Sequence, residues 1–175
     1  MRLLSTTTLT LATLTLALGG CTETADGPDL VGVWQVTAHT HDDAGCGEGA
    51  VETDPPYIQF TRESIFGQEY FQWAPCTAPG ACAEPNPLFD PAYATAITDG
   101  WEAKLYVSSG DASGCALSAV ISTAVVGADG TLTVDTRGHS VDVTGTACEV
   151  DEAEAAYEAG SMMCNNRDRM IATRQ

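Results

Sequence analysis

The stretch His39-Thr40-His41-Asp42-Asp43 carries the residue types that metal chemistry needs. On an extended strand, side chains two apart share a face, so both imidazoles could meet one zinc or nickel ion while an aspartate completes the site. Alternation counted from Trp34 and Val36, which a barrel would turn inward, puts His39 and His41 on the opposite face, at the rim where strand becomes loop. The expectation is two exposed histidines beside an acidic turn, with no metal. Asp129-Gly130 lacks the alternating oxygen ligands and terminal glutamate of a calcium loop and reads as a hairpin turn. His139 falls in a turn signal, Arg137-Gly138-His139, where exposure is expected. The chain contains no G-x-S-x-G, H-E-x-x-H, P-loop or G-x-G-x-x-G motif, so neither a catalytic residue nor a cofactor is expected.

Aromatic residues are the better lead. Tyr57, Phe60, Phe66, Tyr70, Phe71 and Trp73 crowd two consecutive strand-like segments. Within the second, Phe66 and Tyr70 share one face with Gln68 and Gln72, while Phe71 and Trp73 share the other with Ile65. A barrel lined by one such face would hold an aromatic cavity with a few polar handles, which is the composition of a small-molecule site. Phe66, Tyr70, Phe71 and Trp73 are the candidate ligand-binding residues. The same rings could instead fill a small barrel as core.

Composition narrows the setting. The chain has 175 residues, seven cysteines and 24 acidic side chains against seven Lys and Arg, for a formal charge of −17. That length suits one domain, and so few basic residues exclude a nucleic-acid partner. Met1-Arg2, an apolar run from Leu3 to Leu18 and Gly19-Gly20 before Cys21 make residues 1–20 a secretory signal peptide. The run is too short and too threonine-rich to span a bilayer.

Leu18-Gly19-Gly20-Cys21 resembles the lipobox of bacterial lipoproteins. The resemblance implies cleavage before Cys21, acylation of that cysteine (palmitate among the chains) and a membrane anchor in the cell envelope. Thr22 in place of aspartate implies the outer membrane. Residues 21–28, small and polar after the cysteine, then form a lipidated tether, and a single domain occupies 29–175. Six cysteines remain: Cys46, Cys76, Cys82, Cys115, Cys148 and Cys164. An even number in an oxidising compartment reads as a disulfide framework, whose fifteen possible pairings the sequence leaves open.

Period-two alternation dominates the domain. Eight strands are expected, at 31–40, 57–61, 64–73, 101–109, 115–126, 131–136, 140–147 and 165–173, with two long loops over 42–56 and 75–91. One short, acidic helix is expected over 149–159, lying in a loop rather than in the core. This is an all-β, antiparallel, disulfide-braced fold, either an up-and-down barrel or a sandwich. Strict alternation of strand direction puts Cys115 at the end opposite the other five cysteines. Gly32-Val33-Trp34 at the first strand resembles the G-x-W signature of lipocalins and their calycin relatives. That resemblance implies a barrel whose closed end holds Trp34, with an arginine from the last strand packed across it, Arg174 as first candidate and Arg169 as second. The functional expectation is a lipid-anchored, non-catalytic barrel that binds a small apolar ligand. The alternatives are an interaction protein with a filled core, meeting another envelope protein through its acidic loops, and a small secreted hydrolase.

Overall fold

A computed structural model describes residues 27–85, 90–111, 113–145 and 147–175, with only the backbone of Ile65. The expected signal peptide over 1–20, the lipidation site Cys21 and the tether as far as Ala25 and Asp26 lie outside the described residues. The elements are β1 (Gly32–Asp42), β2 (Ala50–Val51), β3 (Tyr57–Ile65), β4 (Gln68–Ala78), β5 (Ala81–Cys82), β6 (Thr95–Ile97), β7 (Gly100–Asp111), β8 (Gly114–Val126), β9 (Thr131–Val143), α1 (Val150–Glu158) and β10 (Met163–Arg174). The strands form one antiparallel sheet in the order β5-β4-β3-β1-β10-β9-β8-β7-β6, and β2 adds to the far part of β1.

The sheet is open in its ladders, but its two ends meet at one place. Phe71 on β4 and Tyr93, just before β6, exchange backbone hydrogen bonds of 3.0 and 2.9 Å. With β10 lying between β9 and β1, that bridge draws an up-and-down meander round into barrel form. The chain enters at one end, here called the floor, which also carries the β3–β4, β6–β7 and β8–β9 turns. The other end is the mouth.

Two apolar clusters hold the fold. Inside, Leu30, Trp34, Ile58, Phe60, Phe71, Tyr93, Leu132 and Met170 pack above the floor. Outside, α1 covers Cys115, Leu117, Ala119 and Ile121 through its buried Ala153. A capping box between Glu149 and Glu152 starts this helix, and its acids remain in water. The expected loop helix is thus the lid of a second core. Strand β8 shows the division directly. It buries its outward side chains from Cys115 to Ile121, then changes sides to bury Ser122 and Ala124 inward.

Three expectations need correction. The segments at 131–136 and 140–147 are one strand, β9, which runs straight through Gly138. That glycine marks a close approach, not a turn: a Cβ there would lie 2.4 Å from Oδ1 of Asn166, whose side chain accepts the Gly138 N–H at 3.0 Å. His139 is accordingly half-buried in mid-strand, edge-on to Tyr157 at 5.2 Å. In the opposite sense, the expected strand count omits β6, and this added strand reverses the direction of β8. Cys115 therefore starts β8 at the mouth, with the other five described cysteines. The pairs are Cys46–Cys164, Cys76–Cys82 and Cys115–Cys148. The two expected loops also hold short strands, β2 and β5, that pair with β1 and β4.

Candidate functional site: a polar belt inside the barrel

The register of β1 against β10 slips between Val36 and Ala38. This bulge at Thr37, whose hydroxyl donates to the Ile171 carbonyl at 3.1 Å, inserts one residue and inverts the alternation beyond it. His39 now sits opposite the core residue Met170, and His41 opposite Asp168. Both histidines therefore face inward, on the side of Trp34 and Val36. The expected outward placement is wrong by that single residue.

Asp168 lies between the two rings. Its Oδ2 is 2.8 Å from Nε2 of His39 and 3.2 Å from Nδ1 of His41. His39 donates from Nδ1 to the Asp54 carbonyl, and Nε2 of His41 is 2.7 Å from Oδ1 of Asp43. Cross-strand pairing continues the row from His41 through Asp168, Thr136 and Ser122 to Ala103. The Ser122 hydroxyl bonds both Tyr93 and Thr136 at 2.6 Å. Tyr93 is wholly buried, and burial pushes its hydroxyl up to about 12 against the opposing pull of Ser122. Trp73 faces the same interior, and its indole, like Ser122, pulls against the burial of the Tyr93 hydroxyl. The result is a polar belt, with the apolar floor beneath it.

Titration has opposite signs at two histidines, His41 in the belt and His139 on the outer face of β9. The hydrogen bond to Asp43, aided by Asp168, raises His41 above its ordinary 6.5, because both ring nitrogens face carboxylates. A raised folded-state value stabilises the fold fully below the unfolded value, and that stability is lost as pH rises through the folded value. His139 is lowered, first by burial and then by Arg137, so its contribution is present above 6.5 and is lost as pH falls. Urea titrations at low salt should show His41→Gln costing stability at about pH 5.5 and little at about pH 8.5, with His139→Gln relatively stabilising at the acid end. A His41→Gln effect independent of pH would refute the assignment.

The remaining candidates fall as follows. Phe71 is 3 % exposed in the inner core and Trp73 packs against it, whereas Phe66 stands fully exposed on the β3–β4 turn and Tyr70 faces the opposite side. The four rings do not form one site, because alternation sends only Phe71 and Trp73 inward. Trp34 is 2 % exposed, with the Arg174 guanidinium over its ring at 5.0 Å, and Gly32 adjoins them. Among the described residues the one three-ligand grouping is Cys46, Cys164 and His139, and there the two sulfurs are bonded to each other. His39 and His41 flank Asp168 rather than converging on a common point with it. Asp168, Tyr93, Ser122 and Thr136 escaped sequence reasoning. The alternation of Asp168 with Met170 and Ala172 was the available signal that this acid faces inward.

In chemical terms, the belt can accept and donate hydrogen bonds to a guest at the level of Asp168, whose side chain is 31 % exposed from the mouth. Ser122, by contrast, has no exposed surface, and its hydroxyl is engaged by Tyr93 and Thr136. Comparison with known proteins finds no family model that matches the chain, no similar curated protein and no similar solved structure.

Proposed function

We propose that this protein is a lipid-anchored component of a bacterial cell envelope whose barrel binds a small, largely apolar molecule at its mouth, without catalysis. The observation that carries the reading is the change of sides along β8. In its upper half the buried face is the outer one, under α1, so among the described residues no core cluster includes the inner wall there. That wall presents Leu105 and Val120, both half-buried, and Val107 and Met163, 44 % and 76 % exposed. Small side chains at Ser118 and Ser140 leave room between them, and the belt of Asp168 and His41 lies below. An apolar wall with a few polar groups at its base is the usual make-up of a ligand site.

Titration with a neutral fluorescent naphthylamine tests the proposal. One saturable site per chain is expected, and Val120→Trp, which fills the wall, should weaken binding at least tenfold without lowering the melting temperature. Val51→Trp, on the exposed strand β2, should leave it unchanged. The absence of saturable binding, or binding indifferent to Val120→Trp, would favour the filled-core interaction protein instead.

A further inference from the structure

We propose that the floor of the barrel rests on the phospholipid surface and that Phe66 enters it, leaving the mouth directed away from the membrane. The inference rests on the lipidation of Cys21. Three independent features of the chain lead to it.

The first is reach. Gly27 follows Cys21 by six positions, so the tether spans at most about 20 Å. Gly27 and Pro28 are held at the floor, where a Cβ on Gly27 would lie 2.7 Å from the Trp101 ring and the Pro28 carbonyl accepts Trp101 Nε1 at 2.7 Å. Strands of 13 residues, inclined as in barrels, make the wall about 30 Å high. A 20 Å leash from the floor is too short to bring the mouth to the bilayer.

The second is the hairpin tip. Phe66 is the most exposed large apolar side chain among the described residues, and its left-handed backbone (φ 52°) ends β3 with the ring projecting beyond the turn. Its base adjoins the entry of the chain. Arg62 on β3 bonds Asp29 at 3.2 Å and Glu69 at 3.3 Å, and a cleft of about 320 Å³ runs between Gly27, Arg62, Glu69 and Trp101. The tip lies four residues past Arg62, about 13 Å further out along the strand. An aromatic ring there, on a soluble surface otherwise rich in acids, matches the apolar boundary of a bilayer.

The third is the distribution of charge. The mouth bears Asp42, Asp43, Glu48, Glu52, Asp54 and the acids of α1, with no cation on α1 to offset them. The floor carries fewer acids, Asp99 and Asp129 on its turns and Glu63 beside the hairpin tip, and Asp29 and Glu69 there are paired with Arg62, with Arg174 beside them. Repulsion from anionic lipid is therefore weakest with the floor turned to the membrane.

The test uses full-length protein isolated from membranes and returned to phosphatidylcholine vesicles. An intact mass showing the acylated cysteine establishes the anchor. In the Phe66→Trp variant, the added fluorescence over wild type should be at least threefold less quenched by iodide on vesicles than in the soluble Cys21→Ser background. For Val51→Trp, at the mouth, vesicles should change quenching little. Absence of acylation overturns the anchor and this orientation together. Acylation with equal quenching at both positions overturns the orientation alone. Protection of the Val51→Trp probe instead would show the barrel inverted, which also refutes it.

Discussion

Replacing Cys46 and Cys164 together by serine should lower the stability of the fold by about 5 kcal/mol, the largest effect of any disulfide in the molecule. The bond closes a loop of 118 residues, and in the chain-entropy treatment the stabilisation grows with the logarithm of that length. Cys115–Cys148 spans 33 residues and should contribute about 4 kcal/mol, and Cys76–Cys82, spanning six, about 2 kcal/mol. Packing adds to the second of these, because Cys115 is 1 % exposed beneath α1. Small domains have only about 5–15 kcal/mol in all, so the Cys46/Cys164 double variant should sit near the edge of folding at 37 °C. Urea unfolding of the three double-serine variants measures the order. Equal losses for the 6-residue and 118-residue loops would show that these bonds act through local native contacts rather than by restricting the unfolded chain.

Placing all three bonds at the mouth has a mechanical consequence. The floor is closed by side chains: Leu30, Trp34 and Arg174. Among the described residues the mouth has no such plug and a half-exposed inner wall, and its long loops and α1 are fastened covalently instead. Cys46–Cys164 ties the loop after β1 to the start of β10 beside the His41–Asp168 rim, and Cys115–Cys148 pins the approach to α1. The binding mouth proposed above would need this division, because a site cannot be both open to a guest and rigid through core packing.

How far the sequence led depends on the range of the interactions involved. Strand β7 was legible because the alternation of Leu105 and Val107 with Lys104 and Tyr106 is a signal carried within a dozen residues. The contact of Arg174 with Trp34 was an expectation raised by Gly32-Val33-Trp34 alone, at the other end of the domain. The inward turn of His39 and His41 was not legible. It depends on one extra residue at Thr37, a bulge with no glycine to mark it, held by a bond to Ile171 more than a hundred positions away. Gly138 misled for a related reason: Arg-Gly-His has turn chemistry, but the glycine serves a side chain from another strand. Strand β6 is three residues long, too short for any periodicity. Missing it reversed the direction of β8 and sent Cys115 to the wrong end. Local patterns thus carried the fold class, while the candidate site rests on register, which is a property of pairs of strands.

Trp34→Ala should be the most damaging single substitution, costing about 3–5 kcal/mol from lost burial and the cavity left at the floor. Two further interactions end at this ring. Its Nε1 donates to the Leu30 carbonyl at 2.9 Å, in buried surroundings. The Arg174 guanidinium stacks on it at 5.0 Å and donates to the carbonyls of Asp29 and Val31, both at 2.9 Å. Leu30, with no exposed surface, is held in the floor by these bonds. Graded variants separate the contributions. Trp34→Phe keeps most of the apolar area but orphans the Leu30 carbonyl, for about 1–2 kcal/mol. Arg174→Lys keeps the charge but loses the planar fork that reaches two carbonyls at once, for about 1 kcal/mol. The two sites touch, so the Trp34→Phe/Arg174→Lys double variant should fall short of the sum of the singles, by about 0.5 kcal/mol or more. Strict additivity would mean that the guanidinium braces the N-terminal segment without help from the ring. The stronger consequence is positional. With Trp34 gone, exchange protection should fail first at the Gly27–Val31 segment and the β1–β10 pair, while α1 and the upper half of β8 keep theirs. They belong to the outer cluster and are fastened by Cys115–Cys148. Simultaneous loss of protection in both clusters would show instead that the barrel and its helical cover unfold as one unit.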